Sequence, residues 1–101
     1  MKPAQLSPQA RRDVLDAARW LMGDNPSAAR AFRVAIDKAT VLLGEHPRAG
    51  RERLELVPAP SRFLSLTGFP YILVYDPTPT PPLILRVLHG VRDLPEILND
   101  L

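Results

Sequence analysis

The run Leu83-Ile84-Leu85-Arg86-Val87-Leu88-His89 constrains this chain more than any other stretch. A short run of branched apolar residues bounded by turn formers reads as a buried strand. Arg86 lies in its middle and requires a partner or solvent at its guanidinium, because an unpaired buried charge is costly. Gly90 ends the strand, since glycine enters tight or left-handed turns without steric cost. His89 and Arg92 therefore stand where a strand runs out, a place where rigid scaffolds commonly carry binding groups. A plain core strand followed by a surface turn accounts for the same residues.

Two helices precede it. Ser7-Pro8 is a start signal: the serine caps free amides and proline suits the first helical position. Ala10, Val14, Ala17, Ala18 and Leu21 then recur at steps of three and four, which gives one apolar stripe. Trp20 lies beside that stripe and is expected to be half buried. Gly23-Asp24-Asn25-Pro26 stops this helix and starts the next, with Asn25 as cap. The second stripe is Ala28, Ala29, Phe32, Ala35, Ile36, Ala39, Leu42 and Leu43, and Gly44 ends it. The short connection predicts an antiparallel helix hairpin. These stripes are core and imply no cofactor.

Lys2 to Leu6 is a candidate first strand. His46 to Arg53 reads as a solvated loop, and the prolines of Leu54 to Pro60 argue against a central strand there. Arg62 to Thr67 and Tyr71 to Tyr75 read as strands, the second rich in β-branched and aromatic residues. Asp76 to Pro82 is a stiff proline loop that must end that strand. Asp93-Leu94-Pro95-Glu96 fits a capping box opening a short C-terminal helix. The economical arrangement is α+β: a two-helix hairpin packed on one face of a mainly antiparallel sheet, as a single domain over residues 1–101.

Composition narrows the function. Hydrophobic residues make up 46% of the chain, enough for a folded core. The net charge of +2 is too small for a nucleic-acid-binding tail, so no direct sequence-specific DNA binding is expected. Of thirteen basic residues all but Lys2 and Lys38 are arginine. Arginine pairs bidentately with carboxylates and phosphates, which fits an acidic partner; genome composition explains the bias equally well. The absence of cysteine excludes disulfides, thiolate metal sites and cysteine nucleophiles. With only His46 and His89, and no carboxylates at helical spacing from them, no metal or cofactor is expected. The opening Met1 to Gln5 lacks the apolar core of a secretory signal, and no run is long enough to span a bilayer, so the expectation is cytoplasmic.

Several segments, in order, resemble the ParE branch of the ParE/RelE toxin superfamily of type II toxin–antitoxin systems. They are Leu6-Ser7-Pro8-Gln9-Ala10 with Asp13; Asn25-Pro26-Ser27-Ala28-Ala29-Arg30-Ala31-Phe32; His46-Pro47-Arg48-Ala49-Gly50; Tyr71-Ile72-Leu73-Val74-Tyr75; and Leu85 to Asp93. Together they span nearly the whole chain. Two departures stand out. Asp76 occupies a position where the family often has arginine, and the turn from Pro77 to Pro82 is unusually rich in proline.

The resemblance implies a toxin held in a hetero-oligomer by a cognate ParD-like antitoxin, a role tied to plasmid stabilisation. ParE-type members poison DNA gyrase, and RelE-type members cut mRNA in the ribosome. A nuclease would need a proton acceptor, for which His89 is the candidate, and cations for the phosphate, for which Arg62, Arg86 and Arg92 are the candidates. Nucleases of the superfamily commonly carry their catalytic group in a basic C-terminal segment, whereas Glu96-Ile97-Leu98-Asn99-Asp100-Leu101 is acidic. The expectation is a gyrase inhibitor without catalytic residues; a nuclease, or an inert fold that only binds its antitoxin, is the alternative. The expected partner surface is an apolar groove around Trp20, Leu21 and Met22, flanked by Arg62, Arg86, His89 and Arg92.

Overall fold

The computed structural model describes residues 2–93. Its elements run β1 (Gln5–Leu6), α1 (Pro8–Asp24), α2 (Pro26–Glu45), β2 (Arg51–Glu52), β3 (Arg62–Ser65), β4 (Tyr71–Asp76) and β5 (Leu83–His89). The expected C-terminal helix falls outside the described residues. The strands form one sheet in the order β1-β5-β4-β3-β2. All neighbours are antiparallel except β1, which lies parallel to β5. The α+β hairpin-on-sheet expectation holds.

The helices start as the caps dictate. Ser7 Oγ accepts the Ala10 amide at 3.0 Å, with Pro8 in the first turn. Asn25 serves both helices: its amide donates to Leu21 O at 2.7 Å, and its Oδ1 accepts the amides of Ser27 and Ala28 at 3.0 and 3.4 Å. The hairpin therefore turns on one residue. The glycines do not stop the helices as expected. Gly23 and Gly44 lie inside them, and a Cβ on Gly44 would collide with the Lys2 carbonyl, so that glycine permits close approach of the segment leading into β1. The one left-handed glycine is Gly68, φ +84°, in the β3–β4 turn. Gly90 has no positive φ; a Cβ there would press on Ile72 Cδ1 at 3.2 Å.

The core lies between the helix hairpin and the sheet. Ala10, Val14 and Ala17 of α1 and Phe32, Ile36 and Leu43 of α2 meet Tyr71, Leu73, Tyr75, Ile84 and Val87. Phe32 is fully buried, with Phe69 and Tyr71 ring centroids at 5.5 and 5.2 Å. Leu42, assigned to the second stripe, is instead exposed. The opposite sheet face is covered near Phe63, Val74 and Leu88 by Leu56 and Val57. The segment around the prolines is thus a cover, not a strand. Arg51 and Glu52 pair with Phe63 and Arg62 as a short edge strand in what reads from sequence as loop. β3 stops at Ser65, two residues early, because the turn into β4 begins at Leu66, whose carbonyl accepts the Phe69 amide at 3.3 Å.

β5 carries a bulge. Its register with β4 shifts between Val74 and Tyr75, which pair with Arg86 and Ile84 and leave Leu85 as the extra residue. A bulge frees backbone groups from the ladder and bends the strand. Here the N-terminal part of the chain takes them up. Ser7 N and Oγ donate to Ile84 O and Leu85 O, both at 2.9 Å, and Asp13 Oδ2 accepts the Val87 amide at 2.9 Å. The irregularity is what lets α1 dock on β5.

Candidate partner-binding site

Asp13 does more than accept that amide. Arg86 Nε donates to its Oδ2 at 2.8 Å and Arg86 Nη2 to its Oδ1 at 3.1 Å, a bidentate pair. Both side chains are largely buried, at 18% and 10% exposure. The carboxylate raises the Arg86 pKa above the usual guanidinium value. The partner that Arg86 demanded is therefore internal. Asp13 sits between Ala10 and Val14 on the border of the α1 stripe, an acid placed where a helix meets a strand containing one arginine.

Beyond the bulge the chain folds back on itself. His89 Nδ1 accepts the amides of Val91 and Arg92 at 3.3 and 3.0 Å. Asp93 Oδ2 accepts the His89 amide at 3.0 Å, so the expected capping carboxylate is turned back onto β5; Glu96 lies outside the described residues. Arg92 Nε donates to Asp93 Oδ1 at 3.0 Å, and its Cζ lies 5.9 Å from the Trp20 ring centroid, within cation–π range. The Arg92 guanidinium holds the Asp93 carboxyl below its ordinary value, and Asp93 raises Arg92 in turn. The His89 ring meets Tyr71 edge-on at 5.4 Å.

These groups line a cleft of about 400 Å³ between α1 and the end of β5, with Trp20, Arg86, Arg92 and Asp93 on its walls. The expected site residues divide. Trp20 and Arg92 come together with His89 close behind. Trp20 is 65% exposed rather than half buried, because Ala17, Ala18 and Leu21 occupy the core side of α1. Leu21 packs on the core, so the cleft is polar and not the apolar groove expected around Trp20, Leu21 and Met22. Arg62 is elsewhere. It pairs with Tyr75 at one end of β4, whereas His89 pairs with Tyr71 at the other. Its guanidinium donates to Gly50 O at 2.8 Å and Glu52 Oε1 at 3.3 Å.

Arg62 belongs to a clasp around Tyr75. The Tyr75 hydroxyl donates to Pro47 O at 2.7 Å and accepts the Gly50 amide at 2.8 Å, and burial raises its pKa. The clasp fixes the His46-Pro47-Arg48-Ala49-Gly50 loop against the sheet end. A Cβ on Gly50 would come within 2.7 Å of Phe63 O, so the glycine there permits the close approach.

An apolar groove does exist, on the other flank of the hairpin. It has a volume of about 590 Å³ and is lined by Ala31, Val34, Lys38, Leu42, Leu64 and Phe69, among others. Val34 and Leu42 are 51% and 40% exposed. Sequence reasoning missed it by assigning Leu42 to the core and passing over Val34. An apolar residue off the buried stripe was the available sign. Among the described residues no cluster of His, Asp and Glu could hold a metal, and no helix is long and apolar enough to cross a membrane.

Residues 4–94 match the family model described as the ParE toxin of the type II toxin–antitoxin system parDE. Among solved structures, the chain is similar to one from the chromosomal ParDE TA system of P. aeruginosa. The TM-score is 0.72 at 21% identity, covering 88% of this chain and 96% of that one. No curated protein matches significantly.

Proposed function

Because this chain belongs to the ParE toxin family of type II toxin–antitoxin systems, we propose that it poisons DNA gyrase by binding and is neutralised by a cognate ParD-like antitoxin. The observation that supports binding over RNA cleavage is the fate of the four residues a nuclease would use. Arg86 is tied to Asp13, Arg62 to Gly50 and Glu52, Arg92 to Asp93, and His89 presents its Nδ1 to two backbone amides. Arg62 and His89 lie at opposite ends of β4. Acid–base catalysis needs free groups around one phosphate, and each of these is already engaged within the chain. The test is direct. Purified toxin added to gyrase and plasmid DNA should block supercoiling and trap cleaved DNA, and antitoxin added first should prevent both. Full supercoiling at saturating toxin, or toxin-dependent mRNA cleavage on ribosomes, would overturn the reading.

The antitoxin's apolar contact fits the groove between α2 and β3. Apolar anchors of an amphipathic segment would meet Val34, Leu42 and Phe69, with an acidic residue reaching Lys38. A second contact fits Trp20 and Arg92 on the α1 flank. The molecule is 36 Å along its longest axis, a span that roughly ten extended residues cover, so one segment that orders on binding could reach both flanks. Val34→Glu with Leu42→Glu should weaken antitoxin binding strongly. Arg92→Glu should weaken it and flatten its salt dependence. Wild-type affinity in both variants would show that the antitoxin sits elsewhere.

A further inference from the structure

We propose that His89 is a proton-operated latch: its neutral ring holds the turn after β5 closed, and a proton on Nδ1 releases that turn and lifts Arg92 from Trp20. The geometry leaves Nδ1 one role. It accepts both Val91 N–H and Arg92 N–H, so it carries no hydrogen of its own in the closed turn. An imidazolium bears hydrogens on both nitrogens and accepts nothing. Protonation therefore sets an N–H against two N–H donors, and both bonds are lost.

The surroundings give the released ring a new partner. Facing the imidazole are Tyr71 from β4, edge-on at 5.4 Å, and the Arg92 amide from the turn; Asp93, bonded to the His89 backbone amide, lies close enough for its charge to feel the ring. Across the cleft α1 presents Asp13, held by Arg86, and Asp16. Asp93 is the group within reach that can change allegiance. In the closed turn its two oxygens serve the His89 amide and the Arg92 guanidinium. A positive ring on His89 competes with Arg92 for that carboxylate. The turn would lose its two ring-to-amide bonds and the ion pair that steers Arg92 at the same time. Histidine is the side chain whose ordinary charge change lies nearest neutrality, which makes it the switching group of this turn. Its consequence for partner binding rests on the Trp20–Arg92 face being a partner surface; the latch itself does not.

The experiment uses the full chain alone, which separates the two ideas. Trp20 is the only tryptophan, so Overhauser contacts between its indole protons and the Arg92 side chain report one contact. Proton–nitrogen NMR spectra between pH 8 and 5 should show the Val91 and Arg92 amides moving together with the His89 ring. The indole–Arg92 Overhauser contacts should be lost over the same range. His89→Asn retains an acceptor but does not titrate, and should hold the pH 8 pattern throughout. His89→Ala should show the open pattern at both ends, with helix content checked by circular dichroism. Indole–Arg92 Overhauser contacts that persist once the wild-type His89 ring is protonated would overturn the latch. So would a pH-dependent loss in His89→Asn equal to that of wild type.

Discussion

Replacing Asp13 with alanine removes one side chain and strands two partners. The Arg86 guanidinium loses a bidentate ligand at 2.8 and 3.1 Å, and the Val87 amide loses its acceptor at 2.9 Å. Breaking a buried ion pair by deleting one member costs about 3 to 5 kcal/mol, because the survivor remains charged and unpaired. Arg86 keeps 18% exposure, so water reaches it and reduces that penalty. The unpaired amide adds about 1 kcal/mol or more. The net expectation is about 2 to 4 kcal/mol, a large share of the roughly 5 to 15 kcal/mol that holds a domain together. At 4 to 8 °C per kcal/mol for a chain of this size, the melting temperature should fall by roughly 10 to 30 °C. Urea unfolding followed by circular dichroism measures the change directly, and the slope against urea should stay constant. A double-mutant cycle with Arg86→Leu isolates the pair, and the Asp13→Leu, Arg86→Leu double variant should be more stable than Asp13→Ala. If Asp13→Ala unfolds within about 0.5 kcal/mol of wild type, a level typical of surface changes, the docking of α1 through this carboxylate is wrong.

Three further changes probe other parts of the argument. Tyr75→Phe leaves the buried Gly50 amide without an acceptor and should lower the unfolding free energy by about 1 to 3 kcal/mol in the same urea assay. Ile36→Ala empties a site that is 2% exposed at the helix–sheet interface and should cost about 2 to 5 kcal/mol; a smaller loss would mean that α2 does not pack as described. Asp93 has a lowered pKa, so its stabilising contribution is fully present above the ordinary carboxyl value of 3.8 and disappears as pH falls through the folded value. The difference in melting temperature between wild type and Asp93→Asn should accordingly shrink below about pH 4.

The elements were legible because local rules governed them. Ser7-Pro8 and Asn25-Pro26 begin the helices where capping chemistry places them, and the β-branched and aromatic run of Tyr71 to Tyr75 made β4 plain. Phe32 and Ile36 went to the core because their spacing allowed little else. What escaped was set by neighbours distant in sequence. Gly44 reads as a helix stop until Lys2 is brought against it. Arg51 and Glu52 look like loop residues and become strand because β3 offers an edge. Arg86 reads as a residue seeking a partner, and no periodicity names Asp13, seventy-three residues away, as that partner. The expected cluster of arginines failed for the same reason: register placed Arg62 at the opposite end of β4 from His89.

The parallel pairing of Gln5 and Leu6 with Leu83 and Ile84 ties the first strand to the last. During synthesis the two helices emerge early, yet the bulge that anchors α1 does not exist until β5 has been made. At about 5 to 20 residues per second, the chain spends several seconds with Ser7 and Asp13 unengaged and the alanine stripe uncovered. The cleft on the α1 flank arises only once β5 and the turn after it have been made. A nascent chain that stops before Leu83 has no strand for α1 to dock on, whereas the groove between α2 and β3 takes no lining residue from beyond Phe69.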